Sequence, residues 1–177
     1  MAEYYYFAAT LPMLTIGKPL PITYADFMEK AKDNLSKKDY RDLEKAVFSP
    51  SAEDASNPLV KEWQAYSTAL NRVLAKERAD RLGFTGYEGD SGADKLLRDK
   101  VKDIVDNKDP LEGERALLSM YFDFLSSREG GSVFSSTALM IYALKLQIME
   151  LDQSFTQEKG RAEFDSLYKD IETDIFR

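Results

Sequence analysis

The sequence predicts an all-α fold, a single-domain irregular bundle of about six to eight helices, and three observations predict it. Apolar residues recur at spacings of three and four along the chain and nowhere alternate as a half-buried strand requires. Helix punctuation accompanies that period: Asn, Asp, Ser or Thr before the apolar runs, Pro at first positions and Gly at stops. The 177 residues fit one domain, at about 100 to 200 residues per domain. The turn-rich stretches 49–57, 83–92 and 126–132 are short enough for loops inside that domain, and none reads as a linker.

Residues 1–22 read as an aromatic segment and a tether. Tyr4 to Phe7 has strand propensity but no partner strand, so a short helix or an extended packing segment is expected, and Pro12, Pro19 and Pro21 keep the tether extended. Residues 23–48 read as a helical hairpin. Thr23 opens a helix through Phe27, Met28, Ala31 and Leu35, and Ser36 caps a second through Tyr40, Leu43 and Val47.

Residues 58–177 read as the main bundle. Asn57 as cap, Pro58 at the first position and Gly83 as stop bound a helix on Leu59, Trp63, Tyr66, Leu70 and Val73. Ala93 to Val105 carries Leu97, Val101 and Ile104 on one side. Asp109 and Pro110 open a helix to about Ser127. Its stretch Ala116 to Leu125, like Thr137 to Leu151 after it, is apolar on nearly every face and should be buried on most sides. Thr156 caps a last, amphipathic helix with the stripe Phe164, Tyr168, Ile171 and Ile175 opposite a strongly charged face.

Composition excludes several chemistries. With no cysteine and no histidine, zinc fingers, disulfides, thiol or Ser-His-Asp nucleophiles and imidazole switches are out. With 31 acidic against 24 basic residues the net charge is -7, so nucleic acid and anionic lipid surfaces are repelled on average and nucleic acid is not an expected partner. The start Met1-Ala2-Glu3-Tyr4 lacks a cationic n-region, and the apolar run from Ala138 stops at Lys145, far short of the roughly 20 residues a bilayer span needs. The expectation is a cytoplasmic protein without direct membrane insertion.

Four sequence features invite chemistry. Gly83, Gly86, Gly89 and Gly92 recur like a phosphate loop, but no strand precedes them, no Lys-Ser/Thr comes after, and Glu88 and Asp90 oppose a phosphate, so a surface loop is expected. Glu88, Asp90, Ser91 and Asp94 offer oxygen ligands without the calcium-loop spacing and read as solvated acids. Glu112, Glu114, Asp123, Glu150 and Asp152 would form an acid/base centre only if two met in a buried cleft. No catalytic, cofactor-binding or metal-ligating residue is assigned. Tyr4, Tyr5, Tyr6 and Phe7 cannot all face one core, so some of these rings should project outward, and they are the candidate interaction residues.

Several segments in order carry a resemblance: Tyr4 to Leu14; Leu70-Asn-Arg72 with Arg78-Ala79 and Leu82-Gly83; Pro110-Leu-Glu112 with Glu114 to Leu117; Tyr142 to Glu150; and Lys159-Gly160 before Phe164. Together they resemble a small all-helical bacterial family of unknown function encoded among the subunits of V/A-type rotary ATPases. The combination carries the resemblance, and no piece is a catalytic signature. It implies a partner among V/A-type ATPase subunits, hence a place peripheral to the inner membrane through a complex. The opening aromatic stretch is also similar to the first helix of the C/d-type ATPase component, which sits between the membrane ring and the rotating shaft. That component has three helical lobes, of which this length supplies only part, so a ring-capping funnel is not implied.

The expected function is therefore a non-catalytic accessory, assembly or stalk subunit, with the aromatic N-terminal segment and the charged face of the last helix as contacts. The alternatives are a generic helical adaptor whose inter-helix groove takes an amphipathic partner, and a carboxylate enzyme on a helical bundle.

Overall fold

A computed structural model describes residues 4–49, 57–84, 86–87, 94–130 and 133–175. Among them eight helices and no strand form: α1 (Tyr5–Thr10), α2 (Tyr24–Asn34), α3 (Lys37–Glu44), α4 (Pro58–Arg81), α5 (Lys95–Val105), α6 (Pro110–Ser126), α7 (Ser136–Ser154) and α8 (Gln157–Ile175). The all-α class expected from the periodicity is what the chain adopts.

Side-chain caps set most of the starts. Thr23 Oγ1 accepts from Asp26 N at 3.1 Å and Ser36 Oγ from Asp39 N at 3.1 Å. Asn57 Oδ1 accepts from Leu59 N and Asp109 Oδ1 from Leu111 N, both at 2.9 Å. Each satisfies an N–H that the first turn leaves without an intrahelical partner. α7 begins on a Ser135 cap, whose Oγ accepts from Ala138 N at 3.2 Å, and runs three residues past Leu151, where the apolar stretch ends. Gly83 takes φ 77°, the left-handed conformation that ends α4 without a Cβ clash.

α7 is the axis of the bundle. Leu139, Met140, Ile141, Ala143, Leu144, Leu146, Ile148 and Met149 are all buried, which covers every face of the helix across three turns. Each large apolar side chain so buried contributes about 1.5–3 kcal/mol. α6, α2 and α3 pack directly on α7, α5 lies against α6, and α4 against α5. Gly113 permits a close approach of α5 to α6, since a Cβ there would stand 3.3 Å from the Ile104 carbonyl oxygen.

The N-terminal tether is strapped along α7. Tyr142 OH donates to Pro12 O at 2.9 Å, Gln153 Nε2 to Lys18 O at 3.2 Å, and Tyr24 N to Glu150 Oε1 at 2.7 Å. Leu11, Leu14, Ile16, Leu20 and Ile22 pack against the core from this strap. The hairpin α2–α3 is part of the same core, through Phe27, Ala31 and Leu43.

A second layer is aromatic. Trp63 of α4 meets Tyr121 of α6 at 5.3 Å and Phe48 at 5.8 Å, while Tyr66 stacks on Phe124 at 3.9 Å with 11° between ring planes. Trp63 Nε1 donates to Phe48 O at 3.2 Å, so its polar atom is satisfied while the ring is buried. The core cluster draws on α1 to α7 and the loops between them, and no described side chain of α8 belongs to it.

Trp63→Ala should lower the unfolding free energy by about 3–5 kcal/mol, the usual cost of emptying a buried aromatic site, measured by denaturant titration.

Candidate interaction surfaces

The N-terminal aromatic residues divide between core and solvent. Phe7 is only 5% exposed and stacks near Phe27 at 5.8 Å between centroids. Tyr4 is half-buried: its backbone N donates to Phe134 O at 2.7 Å, its hydroxyl donates to Asp39 Oδ2, and Ser36 N donates to that hydroxyl at 3.2 Å. The Tyr4 and Ser36 hydroxyls together hold the Asp39 carboxyl below the usual carboxylate range, since both bonds favour the charged form. Tyr5 and Tyr6 point outward, 55% and 86% exposed, with Tyr5 edge-on to Phe134 at 4.6 Å. Of the expected contact residues, Tyr5 and Tyr6 offer surface, whereas Tyr4 and Phe7 bind α1 to the bundle. The division follows helical geometry, because consecutive residues of α1 lie about 100° apart and cannot share a face.

The larger apolar surface lies at the other end of the described chain. Phe164, Leu167, Tyr168 and Ile171 of α8 are 57% to 66% exposed. Phe164 and Tyr168 stack against each other at 6.5 Å. The sequence points to a contact on the charged face of this helix; the structure leaves the described residues of its apolar stripe uncovered as well.

A cleft of about 440 Å³ opens between the N-terminal strap and the helices α6 and α7, lined by Leu11, Leu14, Phe122, Leu139, Tyr142 and Lys145. Lys145 is buried, its Nζ donating to Glu129 Oε1 at 2.7 Å and standing 4.4 Å from the centre of the Phe122 ring. The ammonium is thus held by one half-exposed carboxylate and one aromatic face. Gln147, two residues along and on another side of α7, donates through Nε2 to Ala46 O and accepts at Oε1 from Phe48 N, both at 2.9 Å. Sequence reasoning singles out neither pairing. The signal is present all the same, since a Lys and a Gln within a helix apolar on every face require partners brought from elsewhere.

The acids considered for an acid/base centre answer separate demands. Glu114 pairs with Arg78 at 3.1 Å, Glu112 and Asp152 both face Arg115 at 3.5 and 3.2 Å, Glu150 accepts from Tyr24 N, and Asp123 is exposed. Two of them meet, but across a guanidinium at the surface. Asp94 stands at the start of α5, while Glu88, Asp90 and Ser91 lie outside the described residues. Among the described residues no group of acids is placed to hold a metal ion, and no helix is long and apolar enough to cross a membrane.

Burial pushes the hydroxyls of Tyr121 and Tyr142 up to about 12. Tyr121 OH donates to Asn71 Oδ1 at 3.3 Å and Tyr142 OH to Pro12 O. Both phenols therefore act as neutral donors that tie α6 to α4 and α7 to the strap. Comparison with known protein families, with curated proteins and with solved structures gives no match.

Glu129→Ala should cost about 1–3 kcal/mol by leaving the buried ammonium without its acceptor, toward the low end because Glu129 is half-exposed. Lys145→Met, which removes the charge and keeps the volume, should be near neutral; denaturation midpoints of the two variants check both. The tyrosines set an alkaline limit. Because their folded pKa lies above the ordinary 10.0 of the free side chain, the native state holds protons that the unfolded chain releases. Their contribution is complete below pH 10 and is lost as pH rises toward 12. Stability measured against pH should fall over that interval, and less steeply in Tyr121→Phe.

Proposed function

We propose that this chain is a non-catalytic accessory, assembly or stalk subunit working with a V/A-type rotary ATPase, peripheral to the membrane through that complex. The observation that carries the interaction reading is the uncovered apolar stripe of α8. Four large apolar side chains exposed in a row on one helix are costly to leave in water, and such patches mark surfaces that a partner covers. Tyr5 and Tyr6 add a second, smaller outward patch. The ATPase as the partner rests on the sequence resemblance, which spans nearly the whole chain in order. An assembly protein of this kind fixes geometry through buried contacts, and the bond-breaking chemistry belongs to other subunits.

A generic helical adaptor is the second reading, favoured by the apolar cleft beside Lys145, a groove between the N-terminal strap and the helices α6 and α7.

Affinity purification of the native protein should recover ATPase subunits. The ATPase reading is lost if none co-elutes while the purified ATPase contains every rotor and stalk part without this chain.

A further inference from the structure

We infer that α8 docks by pairing with a cationic amphipathic helix of another protein. The inference deepens the interaction reading above and rests on it.

The spacing of the stripe points to a helix as the occupant. Phe164, Tyr168, Ile171 and Ile175 succeed one another at four, three and four residues, the alternation of d and a positions in a heptad. With Phe164 and Ile171 at d, and Tyr168 and Ile175 at a, Leu167 falls at g and widens the seam. Arg161 takes the a position just before the seam begins. A flat or globular partner does not require this narrow register; a second helix does, because its side chains enter between successive a and d residues.

The charges flanking the seam decide which helix. In the same register the e positions are Glu158, Asp165 and Glu172, an unbroken acidic row, and the g positions are Gly160, Leu167 and Asp174. Lys159 and Lys169 fall at f and b, away from the seam. Across residues 157–175 there are six acidic and three basic residues. A second copy of this chain fits poorly. In an antiparallel pair e faces e, acid against acid; in a parallel pair g faces e, where Gly160 and Leu167 bring no charge and Asp174 brings a like one. Anionic membrane fails for the same reason, since helices that lie on such surfaces carry Lys and Arg beside the apolar face. A partner helix with Lys or Arg at e and g converts every one of these repulsions into an attraction.

The test uses the full chain and two synthetic helical peptides of three heptads, both with Leu at a and d, one with Lys and one with Glu at e and g. Calorimetric titration should show binding of the Lys peptide and none of the Glu peptide. Phe164→Asp and Ile171→Asp should each weaken the Lys peptide by roughly tenfold or more, the factor expected from removing one buried apolar side chain. Lys-peptide binding that survives both substitutions, or that the Glu peptide matches, overturns the pairing.

Three controls can also overturn it. Sedimentation showing a dimer that Ile171→Asp dissolves makes the occupant a second copy. Binding to phosphatidylcholine–phosphatidylserine vesicles makes it a membrane. A lowered melting temperature of Ile171→Asp makes it this chain's own bundle. The peptide readout contains no ATPase component, so its failure sinks the helix pairing alone, and failed co-purification sinks the ATPase reading alone.

Discussion

Because α7 has no polar face to give to water, the other elements must surround it. From Leu139 to Met149 its buried residues point in every direction around the axis, and a helix of that kind is stable only when neighbours cover all of its sides. α6 covers one side, the hairpin α2–α3 another, and the N-terminal strap closes part of what remains. The irregularity of the bundle comes from this demand. Helices too short to span α7, and a strap that is not a helix at all, are used as cover where a regular bundle would place a full-length helix.

The polar residues of α7 determine where that cover attaches. Tyr142, Glu150 and Gln153 bind the strap and the start of α2, while Gln147 binds the chain leaving α3 at Ala46 and Phe48. Strap and loop backbone carries N–H and C=O groups that no ladder satisfies, and a buried group of that sort needs a partner. α7 supplies these, mostly from polar residues set among its apolar ones and at Gln153 from its exposed end, so the same helix provides both the area to be covered and the fixed points that set the register of the cover. Lys145 belongs to this set, with Glu129 just past the end of α6 as its acceptor.

α8 shows the opposite solution to the same period. Its apolar residues repeat as those of α2 do, yet Phe27 and Ala31 of α2 are fully buried whereas Phe164 and Ile171 of α8 stand more than half exposed. α2 is seated on α7 by the strap before it and by Glu150 at its first turn. α8 comes after Phe155, the last described residue packed against the core, and none of its described side chains joins that core.

Local signals fixed the helices. Caps at Thr23, Ser36, Asn57 and Asp109, the stop at Gly83 and the three-to-four period act between residues within a turn or two of each other, so they are legible without knowing what lies across the bundle. The sequence likewise showed that the four N-terminal aromatics could not share one face. Only the tertiary structure decided which of them are covered, placing Phe7 against Phe27 and leaving Tyr6 in solvent. It alone joined Lys145 to Glu129 and Gln147 to the α3 loop, and it alone left the stripe of α8 open. The reason is physical: a helical period says which side of an element is apolar, but whether that side is buried within this chain depends on a neighbour brought from elsewhere in the sequence, and no spacing within the element says whether one arrives.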